Sequence, residues 1–170
     1  VLNGEIVRGE NNNAADVASM PIPNSKLKSN PRPNSSFDIM MNRASLNVLI
    51  RHLKYNNISV NSLNDLEQLI LSKNVHYTEW LDDTIEALTH LIWSSTILLD
   101  ISTVVIASAV DGGLPNIIKE RLDYSLEASA PESCIVPKIK TGKFGSDAGT
   151  IGAASLPIFY SFSPSTEILM

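Results

Sequence analysis

At 170 residues the chain is long enough for one compact domain with a buried core, and 44% apolar against 18% charged residues places it among globular rather than disordered proteins. A net charge of −5 argues against a free-standing nucleic-acid-binding module, which carries a basic face, so any DNA contact is expected from another segment. The single cysteine, Cys134, excludes an internal disulfide and any Cys-x-x-Cys metal motif. The longest apolar run, 98–110, is cut by Asp100, Ser102 and Ser108 and is too short and too polar to span a membrane. With no secretion-type segment at its start and one thiol, the chain is expected to be cytoplasmic. It opens at Val1 on residues that already read as a strand, and it is expected to be part of a longer protein.

Residues 1–8 alternate in polarity around Asn3-Gly4, a tight-turn dipeptide, and predict a hairpin. Residues 24–36 hold Pro31 and Pro33 among Ser, Asn and Lys and predict an exposed loop. Ser35 or Ser36 is placed to cap a helix over 37–55, with Phe37, Met41, Ala44 and Val48 at helical spacing and Asn56-Asn57 as its stop. Ser62 to Asp65 has the form of a capping box, with Asp in place of Glu, ahead of a short helix through Leu66, Leu69 and Ile70. The clearest helix is 77–99. Leu81, Ile85, Leu88 and Ile92 form its stripe, and Trp80, Thr84, Ala87 and Leu91 broaden it, which predicts burial on most sides, in the core or at a subunit interface.

The β-branched run 103–107 predicts a strand buried on both faces. Asp111-Gly112-Gly113 turns the chain into a helix over 114–126, with Pro115 in its first turn. Residues 134–139 predict a short strand that Pro137 confines to an edge. The glycine-rich stretch 145–149 leads into a last helix, whose small residues Ala148, Gly149, Gly152, Ala153 and Ala154 suit close packing on a neighbour. Asp147 at its start suits the positive end of the helix dipole. The order is mixed α/β with a β-α-β passage.

Three stretches carry a family resemblance. Residues 1–9 followed by Ala14-Ala15-Asp16-Val17-Ala18-Ser19-Met20 resemble the hairpin and the Ala-Gly-Glu-Ile-Gly-His-Met segment of the ROK family of repressors and sugar kinases. Leu98-Leu99-Asp100 ahead of Val104-Val105-Ile106 resembles its Leu-Leu-Asp-Pro and following strand. Phe144-Gly145-Ser146-Asp147-Ala148 through Gly152-Ala153-Ala154 resembles its closing Leu-Gly-x-x-Ala-x-x-x-Gly-Ala-Ala helix, the most specific of the three. The resemblance implies a single domain over 1–170 that is the C-terminal lobe of an actin-like (ribonuclease H-like) ATPase fold.

Family positions for sugar contacts match Asp16, Ser19 and Asp38, and the resemblance makes these the candidate ligand-binding residues. A carboxylate accepts several hydroxyl hydrogen bonds, and Asp keeps the family's charge on a side chain one methylene shorter. The competing reading of Asp16 is a plain loop residue, and of Asp38 a charge at a helix start. Family members with zinc use one His and a Cys-rich loop; here Ser19 stands at the His position and 24–36 holds no Cys. Cys134 and the scattered His52, His76 and His90 offer no four-ligand set, so no metal and no cofactor are expected. The family's Gly-rich nucleotide turn matches Ala107-Ser108-Ala109-Val110, where side chains occupy positions that close approach requires bare. The resemblance thus implies a sugar-responsive transcriptional regulator and not an enzyme. Its partners would be a sugar or sugar-derivative effector, DNA through an N-terminal helix-turn-helix upstream, and further copies in a homodimer or homotetramer. The alternatives are a divergent ROK-family sugar kinase and a structural module that binds nothing small.

Overall fold

The computed structural model of the protein describes residues 9–11, 13, 14, 16–31, 36–110 and 113–162, without the side chains of 146, 159 and 160. The expected hairpin at 1–8, residues 32–35 of the expected loop and the Asp111-Gly112 part of the later turn lie outside the described residues.

A short 3-10 turn at Val17–Ser19 leads into β1 (Pro21–Ile22), which pairs antiparallel with β2 (Asp38–Ile39) so that Ile22 faces Asp38. A second 3-10 turn, Met40–Asn42, precedes α1 (Leu46–Tyr55). The helix expected from 37 therefore starts at Leu46. Phe37, Met41 and Ala44 keep a helical period, but pairing with β1 takes 38 and 39, and the Met40 N–H donates to the Met20 carbonyl. Tertiary hydrogen bonding overrides the local pattern, and the cap is Ser45, whose side chain accepts from the Val48 N–H. The stop falls as expected, at Asn56 and at Asn57 with φ +62°.

The capping box is present: the Ser62 hydroxyl accepts from the Asp65 N–H and the Asp65 carboxylate accepts from the Ser62 N–H, opening α2 (Leu63–Leu71). The long helix α3 (Val75–Leu99) is opened by Asn74 and ended by Asp100 with φ +51°. β3 (Thr103–Ile106), α4 (Leu114–Ala128) and β4 (Lys138–Thr141) make a β-α-β unit in which β3 and β4 run parallel, Val104 beside Ile139. After a 3-10 turn at Gly145–Asp147 comes α5 (Ala148–Phe162).

The core lies around α3. Leu49 and Leu53 of α1, Leu66 and Ile70 of α2, Trp80, Leu81 and Ile85 of α3, Leu114, Leu122 and Leu126 of α4 and Ile139 of β4 form one buried cluster. The broad stripe of α3 is used inside the chain, with α1 packed on one side and α4 on another. Polar groups join the same contacts: Thr89 bonds Ser125 at 2.9 Å, and the Trp93 indole donates to Ser129 at 3.0 Å.

Three further sequence expectations need correction. β3 is covered on one face only: Val104 and Ile106 pack on the core, whereas Val105 is exposed, because the helices lie on a single side of the pair. The last strand is Lys138–Thr141 rather than 134–139, since Pro137 has no N–H to donate and the ladder begins just after it. The small residues of α5 meet no neighbour among the described residues: a Cβ on Gly149 or Gly152 would find open space, and Ile151, Leu156, Ile158 and Phe162 are exposed. No helix among the described residues is long and apolar enough to cross a membrane.

One buried ion pair ties the first half of the chain together. Arg43, fully buried, grips Asp83 of α3 with two side-chain bonds of 3.0 and 2.8 Å and donates to the Asp83 carbonyl and the Pro23 carbonyl, each at 2.8 Å. Asp83 in turn accepts from the Ser25 hydroxyl at 3.0 Å and the Lys26 N–H at 3.3 Å. Glu86 caps the group with bonds from Arg43 and Lys26. Burial alone would raise the Glu86 carboxyl, but the Lys26 and Arg43 bonds outweigh it and hold it below its ordinary value.

Arg43→Ala strands a buried carboxylate, so it is expected to lower the unfolding free energy by about 3–5 kcal/mol, read as a fall in the urea midpoint, with Arg43→Met plus Asp83→Leu recovering most of the loss. At α2, bonds from the Asn61 N–H and then from Ser62 hold the exposed Asp65 carboxyl below its ordinary 3.8. A depressed carboxyl stabilises the fold above its unfolded value and loses that contribution as pH falls through the folded one. The stability gap between wild type and Asp65→Asn is therefore expected to be constant near neutrality and to close as pH drops below 3.8.

Candidate functional site

The loop residues described after β1, 23–31, fold back over α1 and α3 and wall a cavity of about 400 Å³ lined by Asn24, Ser25, Lys26, Asn30, Pro31 and Asp38 among others. Arg43 holds the loop's start through Pro23, and Asp83 holds Ser25 and Lys26, so the wall is built by the buried ion pair.

Asp38 sits in this wall, buried in β2 and not at the head of a helix. Its Oδ1 accepts from the Ile39 N–H at 2.8 Å and the Asn42 amide at 2.9 Å, while Oδ2 is buried without a partner among the described residues. Across the cavity lining, buried Asn30 accepts from the Arg51 guanidinium through Oδ1, and its Nδ2 donor is also without a partner. Asp38 and Asn30 thus both line the cavity, and each keeps one buried polar atom without a partner among the described residues. A hydroxyl is both donor and acceptor and suits either kind of atom. Leaving such an atom unmatched costs about 1–3 kcal/mol, a cost that an ordered water or a ligand group removes.

Asp16 and Ser19 lie elsewhere. Both are exposed and line an open, largely apolar groove of about 580 Å³ with Asn13, Val17, Met20, Ser95, Leu98 and Leu99. Asp16 precedes the Val17–Ser19 turn, and its carboxylate makes no capping bond. The structure does not bring Asp16 and Ser19 into the cavity of Asp38; the three candidates fall on two surfaces joined through the β1–β2 pair.

A third crevice, about 540 Å³, opens at the carboxyl ends of the parallel strands β3 and β4, where open α/β sheets take ligands. It is lined by the Ala107–Val110 turn as far as Ser108, Ala109 and Val110, by the start of α4, and by Thr141 to Gly145. The turn is closed on itself: Val110 is fully buried and its N–H donates to Ser108 Oγ at 3.1 Å. Gly142 faces it, donating to the Ile106 carbonyl at 2.8 Å, and an added Cβ there would come within 3.2 Å of the Ala107 Cβ.

The histidines are not scattered as expected. His90 is exposed and apart, but His52 of α1 and His76 of α3 stand with ring centres 5.9 Å apart and share the Glu79 carboxylate. Neither this cluster nor the role of Asn30 was drawn from the sequence. The i,i+3 spacing of His76 and Glu79 was visible there, but His52 belongs to another helix and only packing brings it near.

No family model matches the sequence, and no curated protein matches it. The structure, however, is similar to the crystal structure of a ROK hexokinase from Thermus thermophilus, with a TM-score of 0.66 over 91% of this chain at 19% identity. The chain shares the fold of a ROK hexokinase. It spans about half of that enzyme's length, 51%. The fold is thereby mixed α/β, in keeping with the order of elements described above.

Asp38→Asn keeps an oxygen for the two bonds at Oδ1 and removes a buried charge. The variant is expected to unfold at an unchanged or higher urea midpoint. A purely structural carboxylate would instead cost about 1–3 kcal/mol when changed.

Proposed function

We propose that the protein belongs to the ROK family, that the described region is its C-terminal lobe, and that it senses a sugar or sugar derivative for a transcriptional regulator without kinase activity. The observation that carries the ligand is the Asp38–Asn30 cavity, whose unmatched buried acceptor and donor suit the hydroxyl of a polyol. The regulator reading is supported by the turn at 107–110, where side chains and the Ser108–Val110 bond take the space and the N–H that a nucleotide phosphate would use.

The mechanism is allosteric. A sugar that binds one arrangement of the protein more tightly than another shifts the population between them. Paired upstream helix-turn-helix segments in a homodimer or homotetramer would report that shift as a change in operator spacing. The acidic charge of this chain, −5, fits an effector lobe that leaves DNA to another segment. Asp16 and Ser19, on their separate groove, are kept as a secondary contact surface for a larger ligand.

A kinase is the second reading, favoured by the crevice at the carboxyl ends of β3 and β4, which Lys143 helps to line. Full-length protein separates the two. The expected result is a sugar that raises the melting temperature in proportion to the logarithm of its concentration, alters binding to operator DNA and releases no ADP from ATP, with Asp38→Asn losing the first two effects. Sugar-dependent ADP release would establish the kinase reading instead, and an unchanged melting temperature across a broad sugar panel would leave the structural-module alternative.

A further inference from the structure

The strongest unassigned feature lies beside the loop wall, on the far side of Ser29. Two imidazole nitrogens converge on one carboxylate oxygen: His52 Nε2 lies 3.0 Å and His76 Nδ1 2.9 Å from Glu79 Oε2. The donor atoms of the three residues all lie within 4.8 Å of one another. We infer that His52, His76 and Glu79 form a binding site for a divalent transition-metal ion of the zinc type.

The donor set decides the class of ion. Two imidazoles exclude a site built for magnesium or calcium, which take oxygen donors, and favour borderline ions such as zinc, cobalt or nickel. Metal–nitrogen and metal–oxygen bonds of about 2.0–2.1 Å in tetrahedral geometry set the donors roughly 3.3 Å apart. The two short separations open, and the histidine pair closes, by small rotations. Glu79 is about half exposed and His76 partly exposed, so both side chains are free to make that adjustment. His52 is the fixed member, buried on α1. The two rings stand at 77°, edge to face, so they approach a common point without stacking.

The surroundings match what a metal-binding histidine requires. Ser29 Oγ lies 2.7 Å from His52 Nδ1, the nitrogen opposite the site. A hydroxyl accepts from Nδ1–H when Nε2 carries the lone pair for a metal, and donates to Nδ1 when Nε2–H bonds Glu79 instead, so it supports both states. His76 in the first turn of α3 and Glu79 just beyond it stand at i,i+3, side by side, and Asn74 fixes that turn by accepting from the His76 N–H. The exposed side leaves room for water to complete the coordination.

Bound there, the ion would join α1 to α3 directly and the β1–β2 loop through Ser29. The site is independent of the sugar reading. It lies on residues other than Ser19 and the 24–36 loop positions, where the family resemblance would seek a zinc site.

Chelator-treated full-length protein titrated with Zn²⁺ by calorimetry, and with Co²⁺ by visible absorption, is expected to take up one equivalent and to gain melting temperature with metal. His76→Ala, at a partly exposed position that leaves the core intact, is expected to weaken that binding at least about 10-fold and to abolish the thermal gain. Glu79→Gln should act in the same direction, and Ser29→Ala should weaken binding by about 10-fold while His90→Ala leaves it unchanged. Absence of saturable binding in the wild type would overturn the proposal. So would wild-type affinity in a folded His76→Ala variant, or loss of the ion in His90→Ala.

Discussion

The first half of this fold hangs on one buried guanidinium. Burying Arg43 and Asp83 strips both of water, and that cost is offset only because nearly every polar atom of the pair is used: two side-chain bonds between them, two carbonyls for the arginine, and a hydroxyl and an N–H for the aspartate. Such a pair adds little net stability over an apolar substitute. What it contributes is geometry. It fixes where the β1–β2 loop starts relative to α3, and it holds the chain entering α1 against the same helix.

The two sites follow from that placement. Once Pro23, Ser25 and Lys26 are held, the rest of the loop must cross α1, and it does so with Ser29 on His52 and Asn30 on Arg51. The loop then walls the cavity of Asp38 and meets His52 through Ser29.

The second half is organised differently. α4 and the parallel pair β3–β4 pack on α3 through apolar contacts with few buried polar groups, and one face of the pair stays open. The likeness to the hexokinase, over 91% of this chain, is a likeness of architecture. The exposed apolar residues of α5 belong to the same half.

Local chemistry alone determined much of this structure. The Ser62–Asp65 box, the Asn56-Asn57 stop, the Pro115 helix start and the period of α3 depend on hydrogen bonds and side-chain spacing within a few residues, and each stands where the sequence placed it. The start of α1 was misplaced because β1, distant in sequence, claims residues 38 and 39. The same limit governs the sites. That Asp38 is acidic was legible; that its Oδ2 is buried without a partner among the described residues, in the lining of a cavity that Asn30 shares, was decided by packing. The separation of Asp16 and Ser19 from Asp38, and the meeting of His52 with His76 and Glu79, were likewise decided by packing. A sequence records which groups can bond, whereas burial and convergence depend on which distant segments the core brings together.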